Sequence, residues 1–357
     1  MKLFQCSNCK IAVVFENHTC VNCRHFLGYI SYYNQIVSLD STLLEWHLSD
    51  FGNKSYTYCK NHKYNLCNWL VESAAHSEFC LSCSLNRTIP NLSNEENLKK
   101  WKQIELAKQR LVYQLLRYRL PVVSKMENEN NGLCFDFLAK EDLKEESKDL
   151  KTGHANGVIT LLISEADPVI RERIKQQMSE RYRTLLGHFR HEVGHYFWDR
   201  LIRDDQFVLE RFRTIFGDES QSYARALENY YRNGPQANWE QAFISKYASS
   251  HPWEDWAETW SHYLHLTDVL ETAFNFGIQT NPLINSKENL KMRANFDPYS
   301  ETSFSYFLET GIPLLYAINS MNRSMGTADI YPFIISKPVI RKMEFIHGLV
   351  RQKTPRP

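Results

Sequence analysis

The amino-acid sequence predicts an α+β protein, in which a mainly helical domain with a small sheet follows a small β-rich region stapled by metal. Three observations predict this class. Eight of the nine cysteines lie before residue 84, helical hydrophobic patterns occupy the centre of the chain, and the strand-like apolar runs are few and short. The formal net charge is only +1, which excludes a strong global attraction to nucleic acid or to an anionic membrane.

The cysteines and the N-terminus together indicate the cellular compartment of the protein. The first ten residues, MKLFQCSNCK, lack the apolar core of a signal peptide, and no stretch approaches the roughly 18 apolar residues of a membrane helix. We therefore expect a cytoplasmic protein without membrane contact. In a reducing compartment, clustered cysteines are more often metal ligands than disulfides.

The first element is a zinc-ribbon region over residues 1–90, which opens with a regular cysteine cluster. Cys6 and Cys9 form one CxxC knuckle. After ten intervening residues, Cys20 and Cys23 form a second one. Four thiolates at one point suit the tetrahedral preference of zinc, and metal binding would supply the folding energy that so short a span lacks. We predict a structural zinc site, with a redox pair or unligated thiols as the alternative.

A second, looser cluster follows in the same region. We predict that it forms a second structural zinc site, from Cys59, Cys67, Cys80 and Cys83. Only the second half is a CxxC knuckle, so the first half needs a longer loop, and His62 or His76 could replace one thiol. The alternative is that the first two cysteines are buried as small hydrophobic residues.

The composition of the zinc-ribbon region also indicates which partners it could bind. Its lysines and arginines are interleaved with tyrosines, a composition that can contact nucleic acid. Because the basic excess is modest, we favour docking of a protein partner, and nucleic acid stays open.

The second element is a bridging helix over residues 91–121. Apolar side chains recur at helical spacing from Trp101 to Tyr118, which predicts a helix at about 94–118. Asn94 or a nearby serine can cap its N-terminus, and Pro121 ends it.

The third element, residues 122–275, carries the motif on which the function depends. His191, Glu192 and His195 form an HExxH sequence. On a helix, residues four apart share a face, so the two histidines can bind one metal ion. Glu192 would then act as general base on the metal-bound water and pass the proton to a leaving amine. Two solvent-facing histidines on a surface helix are the alternative.

A catalytic zinc ion needs a third protein ligand, and a later helix start offers one. Pro252 and the acidic residues after it are typical of a first helical turn. We expect Glu254 to be the third ligand, with Glu258 and Asp255 in the layer around the ligands. His251, Asp255 and Glu258 stay open as alternative ligands.

Other residues of this part could assist the reaction. His262 or His265 could stabilise a tetrahedral oxyanion alongside Tyr263 or Tyr196, and we favour His262 and Tyr263. The apolar run Gly157–Ile163 predicts a strand, and we expect it at the edge of the sheet, where it could pair with an extended substrate.

The chain resembles the bacterial zinc-binding metallopeptidases that carry an N-terminal zinc-ribbon domain. This resemblance implies a cytoplasmic protein with a zincin-like catalytic domain of the gluzincin type, and it implies no particular substrate. It covers most of residues 1–275 through the segments CSNC, CVNC, CNWL, LNRTIPNLS, TGHANGVITL, YRTLLGHFRHEVGHYFWDRL, FGDE and HPWEDWAETWSHYLH. The resemblance does not extend to the last part, residues 276–357, which we expect to pack on the catalytic domain as an extension.

These observations predict a zinc metallopeptidase, an endopeptidase acting on a cytosolic protein or peptide, with one catalytic and two structural zinc ions. One alternative is a non-catalytic binding protein, whose ribbons dock a protein or nucleic acid while HExxH holds structural zinc. Another is a protease recruited to nucleic acid by its ribbons.

Overall fold

The N-terminal part of the chain is built from short antiparallel strands. A computed structural model describes residues 1–142, 152–177, 183–284 and 290–352. In it, β1 pairs with β2, β3 with β4, and β6 with both β5 and β7. The strands are β1 (Phe4–Gln5), β2 (Ala12–Val13), β3 (Phe26–Ile30), β4 (Gln35–Leu39), β5 (Trp46–Leu48), β6 (Lys54–Tyr58) and β7 (Leu70–Glu72).

A long helix follows this β-rich region, as the hydrophobic periodicity predicts. After the short helix α1 (Leu81–Ser84), helix α2 runs over Glu95–Arg117. The Asn94 side chain accepts hydrogen bonds from the backbone N–H groups of Glu96 and Asn97, which satisfies two of the unpaired donors of the first turn. The predicted helix and its Asn94 cap are confirmed.

A four-stranded sheet lies beside α2. Its strands are β8 (Asn86–Thr88), β9 (Cys134–Leu138), β10 (Gly153–Ala155) and β11 (Val158–Leu162). Their order is β10-β11-β9-β8, with β10 antiparallel to β11 and the other pairs parallel. The apolar strand β11 is therefore internal, and the prediction that it lies at the edge is wrong. Among the described strands, β10 and β8 hold the two edge positions.

The remainder of the described chain is mostly helical. A small antiparallel pair, β12 (Gln279–Thr280) and β13 (Met292–Arg293), interrupts the helices. The helices are α3 (Pro168–Gln177), α4 (Leu185–Leu201), α5 (Gln206–Phe216), α6 (Tyr223–Asn233), α7 (Pro252–Phe276), α8 (Phe304–Ser324) and α9 (Lys337–Gln352). The β-rich start and the helical remainder confirm the predicted α+β class.

Helix α2 connects the N-terminal region to the later helices through side-chain contacts. Phe15 packs against Tyr113 of α2 with ring centroids 5.2 Å apart. The Tyr113 hydroxyl donates to Glu271 of α7 at 2.7 Å, and the Gln114 amide donates to the Leu264 carbonyl at 2.7 Å. Buried apolar side chains from all these elements form one contiguous cluster.

The C-terminal helices pack on α7 from the other side. The Tyr263 hydroxyl lies 3.0 Å from Nδ1 of His347 on α9, and Lys342 of α9 forms an ion pair with Asp255 at 2.6 Å. Helix α7 is thus enclosed by α2, α4 and α9. In the part of the chain that the structure describes, no helix has the length and apolar character that a membrane crossing requires.

Candidate metal centre and cleft

Helix α4 presents the HExxH motif because its start and its buried side are both fixed. The Thr184 hydroxyl accepts from the backbone N–H of Gly187 at 2.9 Å, which caps the N-terminus. Phe189, Val193 and Phe197 are fully buried, and their spacing of four residues directs one side of the helix into the core. The motif residues therefore project from the other sides of α4.

Helix α7 supplies the acidic residue from its first turn. The ring of His251 caps this helix by accepting from the backbone N–H of Trp253 at 3.1 Å, and its second nitrogen donates to the Gln221 carbonyl at 3.2 Å. Both ring nitrogens are occupied, so His251 is not available as a metal ligand. Pro252 follows the cap and Glu254 lies one turn in, as the sequence predicts.

The two helices approach closely at Gly194 of the HExxH sequence. A Cβ atom at this position would lie 3.1 Å from Cα of Ala257, so a larger residue would separate the helices. The Trp256 indole N–H donates to the Gly194 carbonyl at 2.8 Å, which adds a direct bond across the contact. This approach brings the first turn of α7 to the histidines of α4.

Three candidate ligands meet at this contact. Nε2 of His191 lies 3.1 Å from Oε2 of Glu254, and Nε2 of His195 lies 3.6 Å from the same oxygen. The three side chains offer ligand atoms that all lie within 4.8 Å of one another. Zinc–ligand bonds of about 2.0–2.1 Å would set tetrahedral ligand atoms about 3.3 Å apart, so the donor set fits zinc.

An unpartnered buried atom independently supports a metal at this point. Oε2 of Glu254, in a side chain only 1% exposed, accepts no hydrogen bond from any described residue. Oε1 of the same carboxylate accepts from the Tyr223 hydroxyl at 2.6 Å. Oε2 faces the two imidazole nitrogens without accepting a hydrogen bond from either, and a cation shared by the carboxylate and both imidazoles would remove the cost of that burial.

The layer around the ligands holds His191 in place. Its Nδ1 donates to Oε1 of Glu258 at 2.7 Å, and Oε2 of Glu258 accepts from the Ser245 hydroxyl at 2.6 Å. A carboxylate behind a ligand histidine fixes its tautomer and its direction. Nδ1 of His195 has no such acceptor within the described ranges; its ring is instead held against Trp253, with centroids 4.0 Å apart.

Glu192 lies beside the histidines and is held by a residue that the sequence reasoning missed. Nε2 of His188 contacts Oε1 of Glu192 at 3.2 Å, and Nδ1 of His188 contacts Oε2 of Glu165 at 2.8 Å. Burial alone would lower the pKa of His188, but the two carboxylates raise it to about 9. His188 is therefore a cation at neutral pH, and Glu165, whose burial is outweighed by that cation, has a pKa of about 2.

A cleft of about 500 Å³ opens onto this centre. Its walls include His191 and Glu192, together with aromatic side chains that the sequence reasoning did not single out, namely Tyr230, Tyr231, Trp239, Tyr247 and Phe333. Tyr247 also lies near the centre, since its ring centroid is 6.0 Å from that of His191. Burial, followed by the charge of Glu254, raises the pKa of its hydroxyl.

Several predicted helpers lie elsewhere. Tyr263 is fully buried and bonded to His347, and the Tyr196 hydroxyl donates to the Asn131 carbonyl at 2.9 Å, so neither hydroxyl is placed at the cleft. Asp255, predicted to lie around the ligands, instead forms an ion pair with Lys342 of α9. His262 does line the cleft.

The charge state of His262 follows from its surroundings. Burial, with smaller contributions from Arg190 and His191, lowers its pKa to about 4. Its imidazole is therefore neutral at neutral pH, and its Nδ1 lies 3.0 Å from the Tyr331 hydroxyl. The second ring nitrogen of a neutral imidazole with that partner can serve the cleft as a hydrogen-bonding group.

The first cysteine cluster has the geometry of two matched knuckles. Sγ of Cys6 lies 3.7 Å from Sγ of Cys23, and Sγ of Cys9 lies 3.5 Å from Sγ of Cys20. Zinc–sulfur bonds of about 2.3 Å place the sulfurs of a tetrahedral site about 3.8 Å apart. After each knuckle a residue adopts the left-handed conformation, Lys10 with φ 63° and Arg24 with φ 62°.

The second cluster also closes from all four cysteines. Its sulfurs meet as one group, from Cys59, Cys67, Cys80 and Cys83. Sγ of Cys67 lies 3.7 Å from Sγ of Cys80, and Sγ of Cys59 accepts from the Cys80 backbone N–H at 3.4 Å. His62 is not among the four, because its Nδ1 bonds the Cys67 carbonyl. Both four-cysteine clusters are suited to zinc.

Comparison with protein families agrees with this division of sites. Residues 97–349 match the family described as "Putative zinc-binding metallo-peptidase", and residues 3–94 match a zinc-ribbon domain. The chain belongs to this metallopeptidase family. The matched segment includes the two helices of the metal centre and extends through α8 and most of α9, so the family's pattern includes the C-terminal part that the sequence reasoning could not relate to any other protein.

Relatives in mycobacteria share almost the whole chain. Uncharacterized proteins of Mycobacterium bovis and of two strains of Mycobacterium tuberculosis are each 38% identical to it, over 99% of this chain and 97% of the relative. No solved structure matches the chain.

Proposed function

We propose that this chain is a zinc-dependent endopeptidase that hydrolyses peptide bonds in a protein or peptide substrate. The observation that supports it most is the convergence of His191, His195 and Glu254 beside Glu192 at an open cleft. Structural zinc sites use four protein ligands, whereas catalytic sites use three and keep one position for water. A His-His-Glu set at a cleft therefore favours catalysis over a purely structural zinc.

The chain's own residues account for the proton transfers. A zinc ion bound by the three ligands would polarise the scissile carbonyl and lower the pKa of the attacking water. Glu192 accepts the proton of that water as the water oxygen bonds to the carbonyl carbon. The same carboxyl then gives the proton to the leaving amine as the carbon–nitrogen bond breaks.

One tyrosine is suited to the charge that develops on the carbonyl oxygen. Tyr247 lines the cleft with its ring centroid 6.0 Å from that of His191, where an O–H donor can stabilise an oxyanion. The single O–H of Tyr223 is donated to Glu254, so Tyr223 holds that ligand instead. Tyr247 takes the part that the sequence reasoning gave to Tyr263. His262, neutral and farther along α7, is proposed to contact the substrate.

The two four-cysteine clusters are proposed to bind one structural zinc ion each. Four protein ligands complete a tetrahedral zinc site, so no position for water is left. In a region of two- to five-residue strands, the metal would contribute folding free energy that the short strands cannot supply.

The test is cleavage of a peptide library by the zinc-loaded full chain, with products identified by mass spectrometry. Glu192→Gln keeps the size and position of the base but cannot accept a proton, so we expect it to retain all its zinc and to lose cleavage by at least about 100-fold. Glu228→Gln, an exposed change on α6, is the matched control and should cleave normally.

Two outcomes would contradict the proposal. Equal cleavage by wild type and Glu192→Gln would mean that another group, or a contaminant, does the chemistry. A wild-type chain that holds zinc in the His-His-Glu site yet cleaves no library peptide would favour the alternative of a binding protein with structural zinc.

A further inference from the structure

Beside Glu192, the structure contains a line of hydrogen-bonded side chains that the proposed reaction does not yet use; its central residue, His188, is partly exposed on the wall of the cleft. His188 stands between two carboxylates, with Nδ1 2.8 Å from Glu165 and Nε2 3.2 Å from Glu192. Both contacts are within hydrogen-bond range, and a carboxylate oxygen only accepts. Each ring nitrogen of His188 therefore donates an N–H, one to Glu165 and the other to Glu192.

The far end of this line is itself anchored. Oε1 of Glu165 accepts from the Thr152 hydroxyl at 2.5 Å. Oε2, the oxygen that faces His188, also lies 3.4 Å from Nη2 of Arg183. Glu165 is only 5% exposed, so these bonds are shielded from water and fix the carboxylate firmly. Thr152 directly precedes β10, the edge strand beside α4, which ties the line to the sheet.

His188 is not a fourth metal ligand. It is absent from the group of residues whose ligand atoms converge, and both of its nitrogens already face carboxylates. Its place on α4 explains its partner, because residues 188 and 192 are four apart and share one face of the helix. The ring is thus directed to the base rather than to the metal.

We propose that His188, fixed by Glu165, is a positioning residue for the general base Glu192. Its Nε2–H occupies Oε1 of Glu192, so the carboxylate cannot rotate freely and its other oxygen is the one presented to the attacking water. A base held in one orientation reacts from a near-attack geometry, whereas a freely rotating base must lose that freedom in each turnover. The catalytic consequence rests on the proposed peptidase function; the hydrogen-bonded line does not.

The first experiment tests the line without any activity measurement. Imidazole nitrogen and N–H proton resonances of ¹⁵N-histidine-labelled full chain are recorded with and without zinc, and His188 is assigned by its loss in His188→Gln. We expect two slowly exchanging N–H signals. Glu192→Gln should shift the Nε2–H signal, and Glu165→Gln should shift the Nδ1–H signal. Absence of either response would overturn the proposed line, whatever the chain does to peptides.

The second experiment tests the positioning role with a peptide that wild type cleaves and Glu192→Gln does not. In His188→Leu we expect kcat to fall about 10- to 100-fold with KM and zinc content unchanged. His188→Gln, whose amide N–H can still donate to Glu192 four residues on, should recover part of kcat. A His188→Leu variant with normal kcat, or a kcat loss that Gln leaves unrescued, would refute positioning.

Parallel measurements separate the possible failures. Thermal unfolding of both variants shows whether a kcat loss merely follows lost structure, in which case the positioning role is refuted. If the wild-type chain cleaves no peptide, the peptidase proposal fails while the resonance shifts still decide whether His188 holds Glu192.

Discussion

The hold on His191 gives a quantitative test of the metal centre. Glu258 accepts from Nδ1 of His191 at 2.7 Å and from the Ser245 hydroxyl at 2.6 Å, so both of its oxygens are fixed. In Glu258→Gln the side chain keeps its size but loses its charge and one acceptor oxygen. We expect zinc affinity at the His-His-Glu site to fall about 10- to 100-fold, the usual effect of removing a ligand's carboxylate partner.

That loss corresponds to about 1.4–2.8 kcal/mol of zinc-binding free energy. A graded variant checks the reasoning, because Ser245→Ala leaves the bond to His191 intact and removes the hydroxyl that supports Glu258, together with the bond that this hydroxyl accepts from the Ala248 backbone N–H at 3.1 Å. It should cost about 1 kcal/mol, or roughly fivefold in affinity. The two changes therefore have a predicted order as well as predicted sizes.

The assay is zinc bound per chain at a series of buffered free-zinc concentrations. His191→Ala lacks the site, so subtracting its binding curve removes the contribution of the two four-cysteine clusters. An affinity in Glu258→Gln equal to that of wild type would refute the claim that Glu258 orients His191. So would a larger loss in Ser245→Ala than in Glu258→Gln.

Three further changes test other contacts. Lys342→Met leaves Asp255 buried without its 2.6 Å partner, and should lower the free energy of unfolding in urea by about 3–5 kcal/mol. Adding Asp255→Asn should recover part of that loss, and no recovery would contradict the pairing. Gly194→Ala places a Cβ 3.1 Å from the Ala257 backbone. We expect a lower Tm and weaker zinc binding, although alanine has about 1 kcal/mol more favourable helix propensity than glycine. A more stable variant with its full zinc content would refute the close approach. Cys6→Ala should lose one of about three zinc ions in metal analysis, and an unchanged count would show that this cluster binds none.

Sequence periodicity predicts the residues that meet at the candidate centre, and it also separates from them two predicted residues that the structure places elsewhere. Glu254, Glu258 and His262 are spaced by four and lie on one face of α7. Asp255 and Tyr263 are eight apart and lie on a neighbouring face, which packs on α9 through Lys342 and His347. Placing all five residues on one helical wheel would have separated the face with Glu254, Glu258 and His262 from the face with Asp255 and Tyr263.

Other features could not be read from local patterns. Tyr223 and Tyr247 come from segments before α7 that have no motif of their own, and only the folded chain brings Tyr223 to Glu254 and Tyr247 near the ring of His191. The edge strand β10 is three residues, Gly-His-Ala, too short and too weakly apolar to show a strand period, so the longer β11 was taken for the edge. His188, four residues before Glu192, was visible in the sequence and was overlooked.

The division of the chain at residues 90, 121 and 275 stays a prediction, as do the cytoplasmic location and the docking of a partner by the ribbons. The family matches divide the chain near residue 95 and include the C-terminal helices with the metal centre. No independent boundary at residue 275 emerges from the packing of the described residues, since α9 contributes buried contacts to α7.

The path from Phe15 through Tyr113 to Glu271 has a consequence for how the molecule responds to zinc shortage. The ribbon's aromatic core and the helices of the metal centre share one continuous interior. Removing metal from the four-cysteine clusters would therefore loosen the core on which α2 rests, and α2 in turn supports α7. A fragment beginning at residue 97 would lack that core and would expose the face of α2 that packs on it. Unfolding induced by a chelator should therefore spread from the cysteine clusters to the helices of the metal centre in one cooperative transition.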